Sequence, residues 1–143
     1  MRGDSEEGSS LILVIFAGLL GLVVVLGVAA MTSLYIERKR LFTLADGAAI
    51  ASAESFALSN VQVLDGLTTV QLRDQEVLAT TQNYLRQIPL GTAGEVKIIS
   101  AHTPDGVSAS VTLLKVWRPP VLSVLLPAGV PLEVTALART VFG

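Results

Sequence analysis

The stretch that decides the fold is residues 11–36, LILVIFAGLLGLVVVLGVAAMTSLYI, in which no side chain is charged. As an α-helix it would extend about 39 Å, against about 30 Å for the hydrocarbon core of a bilayer. Lipid offers the backbone no hydrogen-bond partner, so a spanning segment satisfies its own amides by forming a helix. The stretch therefore predicts a transmembrane helix, preceded by a polar leader at residues 1–10.

Two other interpretations of this stretch are open. A buried core helix of a soluble protein is one, although such long uncharged runs are typical of membrane spans. A cleaved signal peptide is the other, with small residues near a cleavage point at Gly27–Ala30. Against it, Asp4, Glu6 and Glu7 precede the run, where a signal peptide carries net positive charge, and the run is longer than a normal signal-peptide core.

A membrane boundary is predicted directly after the apolar stretch. Tyr35 lies where an interfacial aromatic side chain belongs, and Arg38, Lys39 and Arg40 follow it. The positive-inside rule alone would place everything after these basic residues in the cytoplasm.

Composition excludes several functional classes. Of the 143 residues, 51% are hydrophobic and 15% charged, which excludes intrinsic disorder. The formal net charge of −2 gives no electrostatic footprint for nucleic acid. The chain has no cysteine, so disulfides, thiolate nucleophiles and zinc–thiolate sites are excluded.

The helical pattern continues beyond the membrane boundary. Residues 37–59 are rich in alanine and contain no proline, which predicts an Ala-rich helical stalk that ends near Asn60. Ala45, Ala48 and Ala49 would suit close packing against like helices, or equally a space-filling role under a sheet. Asp46, among these alanines, would pair with a basic residue of a neighbouring helix or remain solvated.

Small residues also occur inside the predicted span. Ala17 and Gly21 are four residues apart, with Gly18 between them, which allows two membrane helices to approach closely. Ordinary membrane composition, in which glycine is common, is the alternative explanation.

Residues 60–143 are predicted to form a small α+β domain. A helix capped by Thr68 or Thr69 would run to Ile88, and Asp65-Gly66 before it is a turn signal. Alternating residues at 95–115, with a turn at 102–106, predict a β-hairpin, in which Val96, Ile98 and Ser100 share a face. A short helix at 121–126 and a strand at 130–142 would follow. The expected fold has one or two helices packed on a three-stranded antiparallel sheet.

The sequence offers little material for catalysis. His102 is the only histidine, and the pattern places it in the hairpin loop without a partner. Nucleophile-elbow, phosphate-loop and zinc-protease motifs are absent from the sequence, and the close carboxylate pairs are better explained as solvated charge. We therefore expect no enzyme activity, no cofactor and no metal.

Two adjoining segments carry a resemblance to a known family. Residues 34–41, LYIERKRL, are followed by residues 44–53, LADGAAIASA. This combination resembles the N-terminal segment of TadE/TadG-like proteins of Tad/Flp pilus assembly, and the likeness covers about residues 8–54.

The resemblance implies a single-pass protein of the inner or cytoplasmic membrane whose C-terminal domain lies outside the cytoplasm, despite the basic cluster. Membrane lipid and other pilus or secretion-system subunits are the implied partners, with self-association through the N-terminal helix. Processed prepilins of this kind carry glutamate five residues after a glycine, whereas Leu13 follows Gly8 at that spacing. A membrane-retained minor pilin-like or assembly component is thus expected. A membrane-anchored extracytoplasmic binding module of the cell envelope is the alternative.

Overall fold

The computed structural model describes residues 4–59, 62–64, 67–69, 72–89, 95–119, 123 and 127–139. Two helices and five strands lie in these ranges: α1 (Asp4–Ser59), β1 (Gln62–Leu64), β2 (Leu67–Thr69), α2 (Asp74–Gln87), β3 (Val96–His102), β4 (Ser108–Trp117) and β5 (Val130–Arg139). The predicted α+β fold, with a long first helix, a second helix and a three-stranded antiparallel sheet, is confirmed.

The first helix is continuous over 56 residues, which corresponds to about 84 Å. It contains no proline, so nothing removes a backbone donor from its ladder. Most of its first half is exposed: Met31, for example, is 74% exposed, and only Leu26, Gly27 and Ala30 on one side are half-buried among residues 8–31. Its second half is covered by the rest of the chain, beginning with Leu41 at 1% exposure. One helix therefore provides both a mostly exposed N-terminal segment, called the bare rod below (residues 11–32), and the central element of the domain core.

The sheet that covers this helix has the order β3-β4-β5 with antiparallel pairing. Alternation along β4 sends Ala109, Val111 and Leu113 into the core, where they are fully buried. From β5, Val134 lies opposite Leu113 and Ala136 opposite Val111, so the two strands present one continuous apolar face to α1.

A β-bulge in β3 corrects one predicted facing. Ile98 pairs with Leu113 and Ser100 with Thr112, so Ile99 is an extra residue that has no partner in the ladder. The bulge shifts the alternation by one position, and Ala101 rather than Ser100 packs with Val96 and Ile98 against the core. The prediction that Ser100 shares their face is therefore wrong.

The second helix begins later than the capping signals indicated. Thr68 and Thr69 lie in β2, which pairs with β1 as a short antiparallel hairpin, and α2 begins only at Asp74. Just before the helix, the Leu72 amide donates to the Gly106 carbonyl at 2.8 Å, which ties this segment to the β3–β4 turn. Arg73 is extended and supplies no side-chain cap.

Hydroxyl groups join the two helices. The Ser52 Oγ lies 3.2 Å from the Thr81 Oγ1 and 3.4 Å from the Val77 carbonyl, and all three residues are buried. One turn earlier, the absent side chain of Gly47 leaves room for the Tyr84 hydroxyl, which a Cβ atom would overlap. Small polar and small apolar side chains thus allow α2 to lie close to α1.

The β3–β4 turn is held by Asp105. Its Oδ1 accepts hydrogen bonds from the Val107 and Ser108 amides, and its Oδ2 accepts one from the Ser108 hydroxyl at 2.8 Å. The Ser108 hydroxyl is the largest influence among those that lower the pKa of Asp105 below its usual value. His102 lies not in the loop, as predicted, but at the end of β3, exposed and opposite Ser110.

Three predicted features fall wholly or partly outside the described residues. They are the end of the first helix at Asn60, most of the short helix at 121–126, and the extension of the last strand beyond Arg139.

Candidate functional site: the surfaces of the long helix

One stripe of α1 is the surface that the sheet and α2 cover. Its buried residues recur every three or four positions and are mostly alanine: Leu41, Ala45, Ala48, Ala49, Ser52 and Ala53. Such spacing places them along one face of a helix. Because alanine is short, the sheet and α2 approach the helix backbone closely. In this structure the predicted packing residues Ala45, Ala48 and Ala49 are covered by their own chain.

Asp46 lies at the edge of this covered stripe. It is half-buried, and it forms no ion pair with any residue that the structure describes. Its predicted partnership with a basic residue of a neighbouring helix stays a prediction.

The other predicted packing residues lie on the bare half of the helix. Ala17, Gly18 and Gly21 are exposed, and a Cβ atom added to either glycine would meet no atom within 4 Å. The small-residue face at these positions is therefore open along the helix, and its use in packing between helices stays a prediction.

Two polar contacts mark the point where the bare half of α1 ends. The Trp117 indole N–H donates to the Ser33 hydroxyl at 3.3 Å. One turn further on, the Lys115 ammonium lies 3.0 Å from Glu37 Oε2, with side-chain exposures of 16% and 23%. Glu37 also receives the Arg40 guanidinium on Oε1 at 3.3 Å. These contacts join β4 to α1 at the base of the domain.

Sequence reasoning missed this junction, although a signal for it exists. Ser33 and Glu37 continue the four-residue spacing of Leu41 and Ala45, while Lys115 and Trp117 continue the alternation of the buried face of β4. Ser33 belongs to the uncharged run 11–36, which predicts a membrane span, so the run itself gives no reason to expect Ser33 in contact with the sheet.

The predicted membrane-boundary residues lie directly beside this junction. Tyr35, Arg38, Lys39 and Arg40 are all exposed. Three of them, Tyr35, Arg38 and Lys39, join Phe42 in lining one side of an open groove of about 380 Å³, and residues 133–135 of β5 line the other. Arg40 lies around the helix in a second open groove, with Ile36, Lys39, Thr43 and Leu44. The boundary residues thus form a basic and aromatic surface at the base of the domain.

Among the described residues, one helix is long and apolar enough to cross a membrane, and it corresponds to residues 8–55 of α1. The same residues match a family model described as Flp pilus-assembly TadE/G-like. The resemblance seen in the sequence is confirmed. The match covers about a third of the chain, comprising the bare rod, the junction and the covered stripe. It supports a pilus-related role, with other pilus subunits as the suggested partners, and the apolar helix suggests single-pass anchoring. Searches of curated proteins and of solved structures gave no significant match.

Proposed function

We propose that this chain is a membrane-anchored minor pilin-like or assembly component of a Tad/Flp-type pilus or a related secretion apparatus. It acts by helix and domain contacts rather than by catalysis. The observation that carries the proposal is the TadE/G-like match to residues 8–55, which covers both the bare rod and the stripe on which the domain is built. A subunit of this shape presents two surfaces to an assembly, one in lipid and one outside it.

The dimensions of the bare rod support membrane anchoring. Its most apolar window has a mean hydropathy of 3.1 and is unburied by the domain. From Leu11 to Thr32, before the first bond to the sheet at Ser33, the helix extends about 33 Å, close to the thickness of a bilayer core. The first bond between domain and helix therefore lies near the point where the hydrocarbon would end, although one side of the helix is already half-buried at Leu26 and Ala30.

We further propose that the domain lies outside the cytoplasm and the anchor in the inner membrane. The absence of cysteine makes single-cysteine labelling possible. Asn83→Cys, exposed on α2, is expected to react with a membrane-impermeant maleimide in spheroplasts, and Ser9→Cys only after lysis. Labelling of Ser9→Cys alone before lysis would reverse the proposed orientation and favour the positive-inside arrangement.

Self-association through the rod follows from the same proposal. Ala17 and Gly21 form a small-residue face that allows close helix approach, whereas Leu19 points to nearly the opposite side. In cells that make the pilus, Ala17→Cys or Gly21→Cys is expected to give several-fold more disulfide-linked product under mild oxidation than Leu19→Cys, measured on non-reducing gels. Equal yields at all three positions would argue against a specific helix contact.

The alternative of an envelope binding module receives less support. Such a module predicts a concave ligand pocket, whereas the grooves described here lie open along α1 and β5. Their position on the matched helix favours contact surfaces of an assembly component.

A further inference from the structure

We propose that the groove between the basic segment of α1 and β5 binds the phosphate of anionic phospholipid headgroups. The groove is lined by Tyr35, Arg38, Lys39 and Phe42 on one side and by residues 133–135 on the other. This inference rests on the proposed anchoring of α1 in a membrane and adds to it a ligand chemistry and a binding site. It gives the basic cluster a role on the side of the membrane where the positive-inside rule would not place it.

The charge of the groove is the first argument. Glu37 is the nearest acidic residue in sequence, and both of its oxygens are engaged, by Lys115 at 3.0 Å and Arg40 at 3.3 Å. Within the described part of the chain, Arg38 and Lys39 form no ion pair. A guanidinium binds phosphate oxygens in a bidentate manner and an ammonium adds a point charge, so this pair suits a phosphodiester.

The opposite wall carries one acidic side chain, the exposed Glu133, which lines the groove but forms no ion pair with Arg38 or Lys39 among the described residues, so the two cations outnumber it. Val134 points into the core, so strand alternation carries the flanking side chains of Glu133 and Thr135 to the outer face of the sheet. There, the Thr135 hydroxyl meets the Thr112 hydroxyl at 2.9 Å. In the described sheet, β5 pairs only with β4, so an unpaired backbone edge faces the groove.

The axial position of the groove is the second argument. If the hydrocarbon ends near Ser33, where the domain first bonds to the helix, Arg38 lies about 7 Å further along the axis. The headgroup region on each side of a bilayer is about 5–8 Å thick. Tyr35, which is 68% exposed and lies about 3 Å beyond Ser33 along the axis, supplies the aromatic character typical of this layer.

The test uses the full chain in a neutral detergent, with thermal unfolding followed by the fluorescence of Trp117, the only tryptophan. Dihexanoylphosphatidylglycerol, at roughly ten times its Kd, is expected to raise Tm by about 5 °C, and high salt should abolish the rise. Dihexanoylphosphatidylcholine should give little change. Arg38→Gln with Lys39→Gln is expected to remove the response, whereas Arg86→Gln with Lys97→Gln, two exposed cations elsewhere, should retain it.

Several outcomes would overturn the proposal. They are an equal response to both lipids, or an undiminished response in the Arg38 and Lys39 variant. A similar rise with inorganic phosphate would identify a soluble anion as the ligand. A rise with a peptide of residues 1–10, and none with lipid, would identify the acidic segment of a second copy.

Flotation with neutral vesicles separates this inference from the proposed anchoring. The wild type and the Arg38 and Lys39 variant are both expected to float, since the rod is unchanged. If the wild type does not float, the proposed anchoring is wrong. If it floats but its Tm responds equally to the anionic and the zwitterionic lipid, only the headgroup site is wrong.

Discussion

Replacing Leu113 with alanine is expected to lower the free energy of unfolding of the domain by about 3 kcal/mol. Leu113 is fully buried at the centre of β4, opposite Val134, and faces the alanine-rich stripe of α1. Short alanine side chains cannot move to fill the space that the leucine leaves, so the cavity term adds to the lost burial. The same change would loosen the attachment of the sheet to the rod.

Leu137→Ala is the matched control for this prediction. Leu137 lies on the neighbouring strand but is 62% exposed, so its loss should change stability by about 0.5 kcal/mol or less. Both variants would be measured as full chains by denaturant unfolding in a neutral detergent, with the fluorescence of Trp117 as the probe. Similar losses in the two variants would show that the sheet does not pack on α1 through this face.

The features predicted correctly from sequence are those with a strong local period. The uncharged run at 11–36 and the alanine-rich continuation predicted one long helix, and α1 is continuous from Asp4 to Ser59. In β4, Ala109, Val111 and Leu113 alternate with hydroxyl residues, and this pattern predicted a strand here, which runs from Ser108 to Trp117. In both cases the relevant physical preference acts between residues only two to four positions apart.

The partner of the alanine stripe could not be predicted in the same way. A helix face of small side chains suits a neighbouring helix and an overlying sheet equally well, because both require close backbone approach. The structure covers Ala45, Ala48 and Ala49 with the chain's own sheet and second helix. The decisive contacts join residues far apart in sequence, such as Ser33 with Trp117 and Glu37 with Lys115.

Two of the local errors, the facing of Ser100 and the start of α2, have separate causes. In β3 the alternation changes phase at Ile99, where the bulge lies. Apolar residues occur both before and after the bulge, so the sequence pattern does not reveal its position. Threonine is favoured both as a helix N-cap and, because it is β-branched, in strands. The sequence therefore could not distinguish a helix cap at Thr68 or Thr69 from a strand. Asp65-Gly66, between two short β-branched runs, is also a hairpin signal, and the observed β1–β2 pairing agrees with that interpretation.

The tertiary contacts around the membrane-boundary residues could not be predicted from the sequence. Tyr35, Arg38 and Lys39 were predicted as a membrane boundary from their position after the apolar run. The structure adds the ion pairs of Glu37, which leave two of the cations unpaired among the described residues, and the β5 edge that turns a helix surface into a groove. The headgroup proposal depends on these tertiary features.

Gly129→Ala is the second change with a large expected effect, a loss of about 3 kcal/mol or more in the free energy of unfolding. Gly129 has φ +69° and directly precedes β5. A Cβ atom there would lie 2.6 Å from Val116 Cγ1 and 2.7 Å from the Trp117 carbonyl oxygen. The left-handed conformation alone costs a residue with a side chain about 1–2 kcal/mol, and the backbone oxygen cannot move without shifting β4.

Gly106→Ala separates the conformational part of this cost from the overlap. Gly106 has φ +76°, but a Cβ atom there meets nothing within 4 Å, so a loss of about 1 kcal/mol is expected. Denaturant unfolding of the full chain would measure both variants. Because Val130 pairs with Trp117, and Trp117 bonds to Ser33, only Gly129→Ala should also shift the tryptophan emission of the folded protein. Equal losses, with unchanged emission in both, would mean that the start of β5 is not fixed against the base of the rod.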